Sequence, residues 1–166
     1  MRRSSPLLLA GLALCCSTTA GLKPISARDS EVPCPGGRLV WNLEIQDQRA
    51  ERLDSQRLMS LLRESLSHSF PGCQWADIAR PDAPTIAIEI HSFAADFDGT
   101  IYDATAEWTV LARDASGRTL TEFQAEARVS RPNYRGSNNE REALREALEQ
   151  AVNRTLAGLR NVSGGS

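Results

Sequence analysis

Three runs of alternating apolar and polar side chains succeed one another with only turn residues between them, and this limits the fold more than any other feature. Ile86, Ile88 and Ile90 begin the series. Tyr102, Ala104, Ala106, Trp108 and Val110 then alternate with Asp103, Thr105, Glu107 and Thr109. Phe123, Ala125, Ala127 and Val129 repeat the pattern. A period of two describes strands with one buried face. Asp98-Gly99 and Ser116-Gly117 lie between the runs, where a tight hairpin needs residues that tolerate positive φ. An antiparallel meander is therefore expected.

An earlier alternating run, Leu39, Trp41, Leu43 and Ile45 with Asn42, Glu44 and Gln46 opposite, predicts one more half-buried strand. Leu58, Met59, Leu62 and Leu66 recur at helical spacing, with Asp54 or Ser55 able to cap the start and Pro71-Gly72 ending the segment. A short extra strand fits near residues 74–78. The last segment is the clearest helix. Ser137 and Glu140 are spaced as a capping box, and Leu144, Ala147, Leu148, Ala151, Val152, Thr155, Leu156 and Leu159 form one stripe. The order β-α-β-β-β-α gives an α+β fold, a two-layer sandwich with both helices on one sheet face. Small residues at 104, 106, 125 and 127 would let a helix approach closely.

The first twenty residues read as a secretory signal. Arg2 and Arg3 precede the apolar run from Leu7 to Leu14. Eight residues reach only about 12 Å as a helix, too short for the ~30 Å hydrocarbon core. Two exits compete. Cleavage after Ala20 would use Thr18 and Ala20 as its small residues. Cleavage before Cys15 or Cys16 would instead leave a lipidated cysteine, with Leu12 and Ala13 suited to that pattern and Leu14 larger than its usual small residue. Residues 21–37, rich in proline and glycine and without periodicity, are expected to be a flexible tether. Residues 38–160 form the single domain, and 161–166 a disordered tail.

All 21 acidic residues but only 17 of the 19 basic ones lie beyond Ala20, so that portion carries a net charge of −4. A general nucleic-acid binder would normally be basic. Cys34 and Cys73 are the cysteines left after the leader, and an even count in an exported chain suggests a disulfide. Two free thiols remain the main alternative. A metal site would need more ligands than these two cysteines supply.

Several stretches resemble chemistry. Asp96-Phe97-Asp98-Gly99-Thr100-Ile101 matches the nucleophile motif of haloacid-dehalogenase-like phosphatases, but such enzymes need a parallel sheet and a basic phosphate holder, and no lysine lies beyond the motif. A hairpin turn accounts for the same residues. As a calcium loop, Asp96, Asp98 and Glu107 would fall at ligand positions, with Ile101 where glycine is required. His68 and His91 are the only histidines, and neither has a nearby Ser or Cys in an arrangement that suggests a nucleophile and base. No catalytic residue, metal or cofactor is expected. Arg128, Arg131, Tyr134 and Arg135 form a loop that could grip an anionic lipid headgroup or acidic partner.

The segment Leu43-Glu-Ile-Gln-Asp-Gln-Arg49 resembles the strand opening of YajG-like lipoproteins of Gram-negative bacteria. The likeness continues through the next helix, the strand at Ile86–Ile90, and the closing helix from Asn139, across roughly residues 38–160. The three-stranded middle is also similar to auxiliary lipoproteins of envelope lipid-transport systems. This resemblance implies an α+β domain tethered to the periplasmic face of the outer membrane, without catalytic residues. The expected role is a non-catalytic envelope accessory that binds another envelope protein or lipid and reaches the membrane through an N-terminal lipid anchor. A soluble periplasmic binding module for an apolar or anionic ligand is the alternative, and a metal-dependent phosphohydrolase the least favoured.

Overall fold

The computed structural model describes residues 19–25, 33–50, 52, 54–76, 78–134 and 138–162. Its elements are a short 3-10 turn (Pro35–Gly37), β1 (Val40–Asp47), α1 (Ser55–Ser69), β2 (Gln74–Ala76), β3 (Thr85–Phe97), β4 (Ile101–Arg113), β5 (Thr119–Pro132) and α2 (Asn139–Arg160). One five-stranded sheet has the order β2-β1-β3-β4-β5. The α+β expectation holds, and both helices pack with this sheet. β3, β4 and β5 form the expected antiparallel meander. β1 pairs parallel with both β2 and β3, so the sheet is mixed.

Alternation fixes which side chains are buried. Ile86, Ile88, Ile90, Ala104, Ala106, Trp108, Val110, Ala125 and Ala127 face the helices and are almost wholly buried. Every residue of the predicted α2 stripe joins them. The indole N–H of Trp108 donates to Thr155 Oγ1 at 2.8 Å, so the one polar atom of that ring is satisfied in the core.

β3 runs well past Ile90, where a plain alternation would stop. A register shift between Ile90 and Ser92 changes which positions face the helices. A bulge of this kind inserts one residue and re-aims the side chains beyond it. Phe93 thus returns to the core, and Phe97 stacks on Tyr102 with ring centroids 4.5 Å apart.

Several boundaries differ from expectation. Leu39 precedes β1 and is 67% exposed, because the strand starts one residue later. Alternation predicts Asn42 on the solvent side, yet it is buried. Its Nδ2 donates to Arg80 O at 2.8 Å and Ala83 O at 3.2 Å, and its Oδ1 accepts from the Arg80 N–H at 2.8 Å, so the loop before β3 folds over it. Helix α2 is capped by Asn138 without a side-chain bond, one residue later than the capping box implies; Ser137 lies outside the described residues. Val162, expected in a disordered tail, is buried beside the core; residues 163–166 lie outside the described part.

The flexible tether is the largest correction. Within 21–37, Leu22 and Ile25 belong to the core, and Cys34 and Pro35 are buried. Three anchors on α1 and its cap hold this segment. Thr19 N–H donates to Asp54 Oδ2 at 3.1 Å, Arg57 donates to Leu22 O at 3.1 Å, and Ile25 N–H donates to Ser65 Oγ at 2.9 Å. Gly21 has φ +75° and abuts the Arg141 side chain, a conformation that glycine adopts without a Cβ penalty. Residues 21–25 lie in neither helix nor strand, so the two apolar anchors Leu22 and Ile25 leave no periodic signature.

Candidate functional site

At the end of β1 the backbone turns, and three charged side chains converge. Arg49 lies two residues after Asp47, and Asp54 stands just before α1. Arg49 Nε donates to Asp47 Oδ1 at 2.9 Å, and its Nη2 reaches Asp47 Oδ2 at 2.8 Å and Asp54 Oδ1 at 2.9 Å. Nη1 donates to Phe93 O at 3.2 Å, beside the bulge of β3. The three side chains are 2–8% exposed. Arginine suits this work because its planar fork serves two carboxylates and a carbonyl at once.

Burial by itself would raise the Asp47 carboxyl. Hydrogen bonds from Arg49 and Ser55, with the Arg49 charge, outweigh it and hold the group below the usual carboxylate range. The Arg49 guanidinium is held above its ordinary value, first through its bond to Asp47, against the opposing effect of burial. Together these residues join the N-terminal segment, β1, the start of α1 and β3. In the sequence, Asp47 and Arg49 stand out only as part of a family-like strand end, and Asp54 only as a helix cap. The partners lie across the fold, so spacing alone does not reveal the cluster.

The disulfide is present between Cys34 and Cys73, with Cα atoms 5.5 Å apart, within the normal range for such bridges. It ties the residue before the 3-10 turn to the residue before β2. The bridge and the ion cluster thus sit at opposite ends of β1.

Of the expected arginine loop, Arg128 and Arg131 do not share one face. Side chains alternate across a strand, so Arg128 and Arg131 face opposite sides of β5. Arg128 Nε lies 2.7 Å from Glu126 Oε1 on the open face. Arg131 lies on the helix side and pairs with Glu146 of α2, its Nε 3.0 Å from Oε2. Both cations already have carboxylate partners. Tyr134 is 69% exposed. Arg135 lies outside the described residues, as do Cys15 and Cys16.

The Asp98-Gly99 segment forms the β3–β4 turn. Asp98 Oδ1 accepts the N–H groups of Thr100 and Ile101, both at 2.7 Å, and Gly99 has φ +99°. Those backbone bonds keep the Asp98 carboxyl below its ordinary range. Among the described residues, no three histidine, cysteine or acidic side chains are grouped to hold a metal. His91 Nε2 lies 2.8 Å from Thr109 Oγ1 on the open face, and His68 is near the end of α1. A hollow of about 370 Å³ opens between β1 and α1, lined by Ile45, Gln56, Met59, Ser60 and Arg63. No described helix is long and apolar enough to cross a membrane.

The sequence matches no family model and no curated protein. Solved structures do resemble the fold. A DUF330 protein from Xanthomonas campestris superposes with a TM-score of 0.53 at 17% identity, covering 84% of this chain and 92% of that one. A protein described as a lipoprotein from Caulobacter crescentus gives 0.49 at 15% identity, over 74% and 92%. A minor lipoprotein from Acinetobacter baumannii gives 0.43 at 12% identity, over 74% and 90%. The likeness is one of fold.

Proposed function

We propose that this chain is an exported, YajG-like lipoprotein of the bacterial envelope, held to the outer membrane by an acylated cysteine and acting by binding, without catalysis. The observation that carries the reading is the docking of Thr19. Its backbone is buried and donates to Asp54, three residues past Cys16. Cleavage after Ala20 would remove Thr19 and leave a buried aspartate short of a donor, which is costly for a charged group. Cleavage before Cys15 or Cys16 keeps the docked segment whole. The leader, the disulfide expected of an oxidising compartment and the α+β fold agree with this reading.

Intact mass of the protein recovered from a Gram-negative host tests it. An acylated N-terminal cysteine and recovery in the membrane fraction are expected, with both lost in the double variant Cys15→Ser/Cys16→Ser. A mature chain beginning at Gly21 without acyl mass, found in the soluble periplasmic fraction, would overturn it.

A further inference from the structure

We infer that the Phe97–Tyr102 end of the sheet rests on the bilayer surface, so the domain sits directly on the lipid and does not hang from a tether. This rests on the lipoprotein reading and adds an orientation to it. Reach sets the first limit. Thr19 is three positions past Cys16, so an extended chain spans only about 10 Å between the acyl anchor and the docked backbone. Thr19 is fixed on Asp54, Asp54 on Arg49, and Arg49 on Phe93 O. From Phe93, β3 continues four residues to Phe97, about 13 Å further along the strand. The anchor thus lies within about 10 Å of a dock that hydrogen bonds tie to β3 four residues before Phe97.

Other contacts place the same elements at this end. Gly21 abuts Arg141 in the first turn of α2. Asn139 Nδ2 donates to Pro132 O at 2.6 Å, and Pro132 pairs with Ile101 at the start of β4. Phe97, Tyr102 and Arg131 form one row across β3, β4 and β5 on the helix side, the side on which the N-terminal segment packs. Phe97 is 46% exposed and Tyr134, two residues past β5, is 69% exposed. Large aromatics left in water beside a lipid anchor suit the membrane interface, where an apolar ring meets a wet boundary.

Charge indicates the kind of contact. Arg131 and Arg128 are already paired with Glu146 and Glu126. Asp96 and Asp103 face each other on the open side, and Asp98 is in the turn. Among the described residues placed at this end, the three carboxylates of Asp96, Asp98 and Asp103 outnumber the one further cation, Arg141, so there is no cationic excess to draw anionic headgroups. The contact is aromatic and interfacial, seated among zwitterionic headgroups, and so insensitive to salt.

The test uses the full acylated protein with its disulfide intact, its acyl mass checked first, in vesicles of phosphatidylethanolamine with a minority of phosphatidylglycerol. A fluorophore is attached in turn at Phe97→Cys, Tyr134→Cys and, near the start of β1 at the opposite end, Leu39→Cys. Brominated lipids should quench the first two several-fold more than the third, equally in low and high salt. Acylated protein quenched equally at all three sites, or most at Leu39→Cys, would overturn the orientation and leave the anchor standing. Quenching that vanishes in high salt would overturn the aromatic contact in favour of an electrostatic one. A missing acyl mass would instead overturn the lipoprotein reading, and this inference with it.

Discussion

The two halves of the sheet share one apolar core but differ in what is added to it. On one side, β3, β4, β5 and α2 share a continuous apolar interior, with Ala104, Ala106, Ala125 and Ala127 opposite the α2 stripe. On the other, β2 is only three residues long and β1 is clamped at both ends. The Cys34–Cys73 bridge closes one end and the Asp47–Arg49–Asp54 cluster the other. The meander half is stabilised by many interchangeable contacts. The β1 half buries Trp41, Leu43 and the apolar face of α1 in the same core and adds these two specific clamps, so single substitutions at the clamps should have larger and more local effects.

The largest effect is expected at Arg49. Arg49→Ala leaves two buried carboxylates without their cation, a loss of about 3–5 kcal/mol for a broken buried pair. Urea denaturation should show it, and hydrogen exchange should rise first in residues 19–25 and β1. A cost below about 1 kcal/mol would mean that water reaches the cluster, contrary to its burial.

Acid probes the same site. The folded Asp47 carboxyl lies below its unfolded value of about 3.9, so its contribution is complete above that pH and disappears as the pH falls through the folded value. Asp47→Asn should flatten this part of the stability profile. An unchanged acid slope in that variant would show that other carboxylates set it.

Next in size is the disulfide. Cys34→Ser with Cys73→Ser opens a loop of 39 residues, for which chain entropy gives about 4 kcal/mol. Calorimetry should show a lower melting temperature, with β2 and the start of β1 losing exchange protection before the meander. Uniform loss across both halves would erase the distinction between them.

Gly158→Ala tests the packed half. Alanine favours a helix by about 1 kcal/mol over glycine. A Cβ at 158 would, however, lie 2.3 Å from the Phe123 ring. Overpacking costs of about 1–3 kcal/mol should prevail, giving a net loss. A more stable variant would show that Phe123 swings aside freely.

The smallest effect belongs to Arg131→Ala. Its pair with Glu146 is 46% and 34% exposed, so less than about 1 kcal/mol should be lost.

Much of the meander half was legible in the sequence. A period of two gave β4, β5 and the first part of β3, and a period of 3.6 gave the whole buried stripe of α2, because each signal comes from neighbours along one element. The bulge after Ile90 hid the far end of β3, since one inserted residue reverses the phase of the alternation. On the β1 side the period gave the strand but not its surroundings. Asn42 has the spacing of a solvent-facing residue, and only the loop at 80–84 covers it.

Local order along the chain therefore determined the elements, their faces and the cysteines available to pair. Tertiary structure alone decided that β1 runs parallel to β3, that Arg49 meets Asp54, that Arg128 and Arg131 part company, and that Leu22 and Ile25 join the core. Each of these brings together groups that share no helical or strand period. Their energies depend on burial and on partners far along the chain, and neither is written in the spacing of residues.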